Sequence, residues 1–179
     1  MKKEVLNFLK DIQKDFCWLL YSREYTKKYD FDGEDAEEVC RAGFPRCCDL
    51  ASVLLASYLS VHVSDETKVY IMPAGHISHA WCECEGEVID YTYFQFDLDS
   101  EQTEKFENFQ WKRDEFDSYI SQQKFIWTGD NKHLQCQKQF MGVSELELLS
   151  KDIAMKYAFS KEDFIKYVDE SFELVELNL

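Results

Sequence analysis

Gly43-Phe44-Pro45-Arg46-Cys47-Cys48-Asp49 opens the stretch on which the fold turns, and His79-Ala80-Trp81 followed by Val88-Ile89-Asp90 closes it. Between them, Leu50, Ala51, Val53, Leu54, Leu55, Ala56, Tyr58 and Leu59 make the chain almost continuously apolar, interrupted only by Asp49, Ser52 and Ser57. An apolar run of that length, hydrophobic all round, predicts a central buried helix over Cys48–Leu59. Pro45 disfavours helix at Phe44 and places the start after it. Asp49 in the first turn suits the positive end of the helix dipole.

Three strand candidates follow: Thr67–Met72, Ser78–Cys84 and Glu87–Thr92. The last two flank Glu85-Gly86, which reads as a two-residue hairpin turn. Counting outward from that turn, Cys84 pairs with Glu87, Trp81 lies opposite Asp90 and His79 opposite Thr92. His79 and Asp90 are then diagonal neighbours on one face, within reach of long or aromatic side chains. A slip of one residue would put them on opposite faces.

Outward from this core, Val5, Leu6, Leu9, Ile12, Phe16, Leu19 and Leu20 recur at three- and four-residue steps and predict an amphipathic helix from Lys3 to Tyr25. Tyr29–Glu38 is acidic and reads as a loop, with a short helix at Glu34–Arg41. The polar and aromatic stretch 97–143 shows no clean period. Two helices close the chain, Ser144–Phe159 and Lys161–Phe172; Ser144 with Glu147, and Ser160 with Asp163, fit N-terminal capping patterns. The order of elements is α+β. With 179 residues, six Gly and two Pro, a single domain over 1–179 with its core at 43–96 is expected.

The formal net charge of −15 argues against nucleic acid and against an anionic membrane surface, and it admits a basic peptide or protein partner. No stretch approaches the apolar length needed to cross a bilayer, and the charges at Lys10, Asp11, Lys14 and Asp15 break up any signal-peptide core. Seven irregularly spaced cysteines without an export signal read as reduced thiols in a cytosol.

A thiol at a helix start, a histidine on a strand and an acid on the next strand together describe a nucleophile, its base and the group that orients the base. Helix N-termini and neighbouring imidazolium favour the reactive thiolate, which prefers Cys47 or Cys48 over Cys17, Cys40 or Cys136. Such chemistry needs no cofactor. Trp81 is read as a packing wall beside His79 and as the one substrate-contacting candidate. Two rival readings use the same residues. His76, His79, Cys82 and Cys84 form a His/Cys cluster of the kind that holds zinc, although Cys82 and Cys84 fall on the other strand face from His79. His79 and Asp90 also suit a plain structural pair. His62 and His133 have no visible partner.

Phe44-Pro45, Cys47-Cys48, Ser52, Ser78-His79-Ala80-Trp81, Asp90-Tyr91-Thr92 and Gln95-Phe96 together resemble the transglutaminase-like cysteine-peptidase superfamily. Within it they resemble the small bacterial transglutaminase-like proteins, which include leader-peptide-cleaving proteases of lasso-peptide biosynthesis. The resemblance implies a papain-like core, peptide or isopeptide hydrolysis, deamidation or acyl transfer, His79 as base and Asp90 as its orienter. For the nucleophile, Cys48 keeps a step of four to Ser52, whereas Cys47 keeps an acid two residues on, at Asp49. No glycine separates Arg46 from Cys47 or Cys48 from Asp49, a departure that tightens the turn. A catalytically inactive relative that binds a protein partner is the remaining alternative.

Overall fold

The structure is a computed structural model that describes residues 1–23, 26–30, 37–41, 43–74, 77–128 and 138–177. Helix α1 (Lys3–Ser22) turns Val5, Phe8, Leu9, Ile12, Phe16 and Leu20 inward, a stripe at helical spacing with charged residues on the other side. It ends where Arg23 becomes extended, and the predicted continuation to Tyr25 lies outside the described residues.

Two short strands, β1 (Thr26–Asp30) and β2 (Glu37–Arg41), pair antiparallel from Thr26↔Arg41 to Asp30↔Glu37. Of the expected loop over Tyr29–Glu38 and helix over Glu34–Arg41, the described parts, 29–30 and 37–41, are strand instead, and 31–36 lie outside the described residues. Thr26, Tyr29 and Val39 favour extended backbone once a second strand lies alongside.

Helix α2 (Cys48–His62) is buried from Leu50 through Leu59. It packs on a five-stranded antiparallel sheet made of β3 (Lys68–Ala74), β4 (Ile77–Cys84), β5 (Glu87–Ile89), β6 (Ile126–Thr128) and β7 (Gln139–Phe140), in the spatial order β6-β5-β4-β3-β7. The pleat sorts the side chains. Val69, Ala80, Cys82, Cys84 and Ile89 join α2 in the main core, while Trp81 and Val88 gather Tyr70, Met72, Tyr93 and Trp127 on the other face. β5 stops at Ile89, three residues short of the expected Thr92, because a 3₁₀ turn follows at Tyr93–Phe96.

The stretch 97–143 contains α3 (Ser100–Glu107) and α4 (Arg113–Ile120) besides β6 and β7. A capping box starts α3: Gln102 N donates to Asp99 Oδ1 at 2.8 Å, and Asp99 N donates to Gln102 Oε1 at 3.1 Å. Phe106 and Phe116 from these helices meet Tyr21 and Phe44 in one aromatic cluster.

At the C-terminal end, α5 (Glu145–Ala154) and α6 (Lys161–Leu177) are capped by Ser144 and Ser160, whose hydroxyls accept from Glu147 N and Asp163 N at 3.1 Å each. α5 stops at Ala154, short of the expected Phe159, and beyond it the Tyr58 hydroxyl of α2 donates to the Ala158 carbonyl at 2.5 Å. The architecture is α+β: one buried helix on an antiparallel sheet, with the other helices flanking. No helix among the described residues is long and apolar enough to cross a membrane.

Candidate active site

The β4–β5 turn sets the register on which the site depends. Glu85 (φ 49°) and Gly86 (φ 79°) both take positive φ, the requirement of a two-residue type I′ turn whose twist matches that of the strands. Cys84 then pairs with Glu87, Glu83 with Val88 and Cys82 with Ile89. Asp90 follows directly, and its backbone N–H turns away to the Phe125 carbonyl at 2.9 Å. His79 shares the Trp81 side of β4 and stacks beside that indole, ring centroids 6.3 Å apart.

His79 Nε2 lies 2.5 Å from Asp90 Oδ2, and both side chains are buried, at 0% and 1% exposed. The other carboxylate oxygen, Oδ1, accepts from Thr92 N at 2.8 Å and from Thr92 Oγ1 at 2.9 Å. Each oxygen of this buried acid is therefore satisfied, which is what makes the burial tolerable. An ionised carboxylate only accepts, so Nε2 carries a proton and Nδ1 is the nitrogen left for other work.

Although α2 packs along the opposite face of the sheet, its first residue acts on the same imidazole: the Cys48 side chain is among the groups that raise the His79 pKa. Burial by itself pulls the His79 pKa down. The hydrogen bond and charge of Asp90, with those of Cys48, outweigh it and push the value up to about 9.

The two adjacent cysteines part company here. Cys47 is the N-cap residue and lies buried in the core; burial, then Asp49 and Cys48, push its thiol far up. Cys48, one residue on, is half-buried, while the other described cysteine side chains, Cys17, Cys82 and Cys84, are buried. Burial likewise raises those three thiols. Of the cysteine side chains described, Cys48 alone combines access to solvent with an influence on an imidazole.

Trp81 is fully buried, with its indole N–H donating to Glu83 Oε1 at 3.0 Å. It is a wall behind His79 and offers no open surface to a substrate, which corrects the substrate-contacting part of its reading. The residues that enclose the imidazole on the remaining sides come from the 3₁₀ turn. Phe96 meets it edge-on at 4.9 Å and Tyr93 at 6.3 Å, and Gln95 Nε2 lies 3.4 Å from Nδ1. Sequence reasoning names Gln95 and Phe96 only as part of a motif. Their roles depend on the turn folding back over His79, which no local pattern announces.

Of the proposed zinc cluster, His76 lies outside the described residues, and Cys82 and Cys84 point into the main core, away from His79. Among the described residues no group of three or more His, Cys, Asp or Glu side chains is placed to hold a metal ion. His62 is a packing residue at the end of α2, its Nε2 3.2 Å from the Ala154 carbonyl oxygen, with burial lowering its pKa. His133 lies outside the described residues.

No protein-family model matches the chain, and comparison with curated proteins and with solved structures returns no match either. Function is therefore read from the geometry of the site.

Proposed function

We propose that the chain is a thiol-dependent amide-bond enzyme with Cys48 as nucleophile, His79 as base and Asp90 as the residue that orients the base. One observation carries this reading: a half-buried cysteine in the first turn of a helix acts on a histidine whose Nε2 is held by a buried carboxylate. The resemblance to transglutaminase-like cysteine peptidases points the same way.

In this mechanism the Cys48 sulfur, as thiolate, attacks the carbonyl carbon of an amide, and the carbonyl π electrons move onto oxygen. Backbone N–H groups at the start of α2 stabilise that oxygen. Imidazolium His79 gives its Nδ1 proton to the amide nitrogen, the C–N bond breaks, and the amine leaves. The acyl group stays on sulfur as a thioester. An incoming water or amine then loses a proton to Nδ1, attacks the thioester and releases the thiolate. Water makes the reaction a hydrolysis or deamidation, and an amine makes it an acyl transfer. The substrate class is a peptide or protein amide, with basic sequences favoured by the charge of −15. A cytoplasmic setting keeps the thiols reduced.

The rival reading, an inactive relative that serves as a binding scaffold, draws on the enclosure of the imidazole, whose side chain is 0% exposed. Labelling with iodoacetamide at pH 6, with the modified residue located by mass spectrometry, separates the two. The enzyme reading expects Cys48 to react at least about a hundred times faster than the other cysteines, and His79→Ala to remove that preference. Slow, uniform labelling of all seven cysteines would count decisively for the scaffold.

A further inference from the structure

Two groups bear on Nδ1 of His79, the nitrogen that Asp90 leaves over. One is the Cys48 side chain, which acts on the ring and helps to raise its pKa. The other is the Gln95 side-chain amide, 3.4 Å away, a long contact of the kind that tightens when a site engages its ligand. The orientation of that amide is fixed by its other contact. Gln95 Nε2 is also 3.1 Å from the Thr92 carbonyl oxygen, and a carbonyl oxygen only accepts, so the group in this position is the NH₂ and not the amide oxygen. Gln95 can therefore only donate toward Nδ1.

A donor facing Nδ1 is satisfied when that nitrogen is bare and unsatisfied when it carries a proton. Gln95 thus favours neutral imidazole and the uncharged thiol, while Asp90, across the ring, favours imidazolium. Four groups close into one loop of hydrogen bonds: His79 to Asp90, Asp90 to Thr92, Thr92 to Gln95, and Gln95 back to His79. Among the described residues, the titratable groups that bear on the ring are Asp90 after β5, Cys48 on α2 and Tyr93 on the 3₁₀ turn. Met72, its register partner on β3, and the Trp81 and Phe96 rings are neutral.

We propose that Gln95 is a positioning residue for the thiol–imidazole pair: anchored on the Thr92 carbonyl, its amide favours a bare, proton-accepting Nδ1 against the pull of Asp90 and so restrains formation of the thiolate–imidazolium pair in the absence of substrate. Transfer of the thiol proton to Nδ1 takes away the acceptor of this N–H and frees it within the site. The proposal rests on the assignment of Cys48 and His79 made above.

The test is the pH profile of Cys48 alkylation by iodoacetamide in the full chain, read by mass spectrometry. Gln95→Met keeps the length of the side chain and removes the donor; Gln95→Glu keeps the shape and replaces the donor by an acceptor. Both variants are expected to move the midpoint of the profile to lower pH, by about half to one pH unit for Gln95→Met and further for Gln95→Glu. A structural role limited to holding the 3₁₀ turn would lower the melting temperature and leave the midpoint in place, and that result, or a shift to higher pH, overturns the proposal. Should one variant fail to fold, the other still decides it. If the wild-type protein itself shows no preferential labelling of Cys48, the catalytic reading fails and this one falls with it; selective wild-type labelling with an unmoved Gln95 profile removes this one alone.

Discussion

Asp90 Oδ2 sits 2.5 Å from His79 Nε2, eleven positions away along the chain, with the two-residue Glu85-Gly86 turn between them. The contact is buried and its second carboxylate oxygen is fully occupied by Thr92. Asp90 is thus held in one position between His79 and Thr92, and it supports the protonated state of the imidazole.

Asp90→Asn removes the charge and keeps the shape. A charge-assisted hydrogen bond contributes about 1.5–3 kcal/mol, so imidazolium becomes harder to form by that amount. The pH midpoint of Cys48 alkylation should move up, and labelling at pH 6 should slow by about 10- to 100-fold. This is the opposite direction from the one expected for Gln95→Met. If the Asp90→Asn variant labels with the wild-type profile, Asp90 plays no part in activating the thiol.

The pH dependence of stability follows from the same pair. His79 is raised from 6.5 to about 9 because Asp90 and Cys48 outweigh its burial. A group whose pKa rises on folding stabilises the folded state fully below its unfolded value and loses that contribution as pH climbs through the folded one. The stability difference between wild type and His79→Gln, measured by urea denaturation, should be largest near pH 6, shrink between about 6.5 and 9, and level off above that window. A difference that stays flat from pH 6 to pH 10 contradicts it.

What could be read from residues alone divides along physical lines. The hairpin was legible because a type I′ turn is a local event: Glu85-Gly86 fixes the register and alternation then puts His79 and Asp90 on one face. Helix α2 was legible because an apolar run needs a buried place whatever surrounds it. α3 and α4 were not, since Phe106 and Phe116 pack on Tyr21 and Phe44, partners that are distant in sequence. β6 and β7, three and two residues long, exist only because β5 and β3 offer them backbone groups to pair with. Gln95 stayed hidden for a similar reason: the 3₁₀ turn decides that it faces Nδ1.

Thr92 gives a test of how much the carboxylate depends on its support. Thr92→Val keeps the shape and the backbone N–H bond but deletes the hydroxyl that donates to Asp90 Oδ1. At a site 1% exposed, a carboxylate oxygen deprived of a donor costs about 1–3 kcal/mol. Urea denaturation should show that loss, and Thr92→Ser should restore most of it. If valine matches threonine in stability, the hydroxyl contributes nothing to holding Asp90.

The choice between Cys47 and Cys48 is a matter of helix phase. Cys47, the N-cap residue, drops its side chain into the core, whereas Cys48, the first helical residue, is half-buried and engages His79. Cys48→Ala should therefore abolish the fast iodoacetamide reaction and change stability by less than about 1 kcal/mol, as expected for a partly exposed position. Cys47→Ser places a hydroxyl at a site 1% exposed with apolar neighbours and should cost about 1–3 kcal/mol. Cys47→Ala should leave the fast reaction at Cys48 intact. The reverse pattern, fast labelling that survives Cys48→Ala and disappears with Cys47→Ala, would assign the nucleophile to the buried thiol and require the start of α2 to open before reaction.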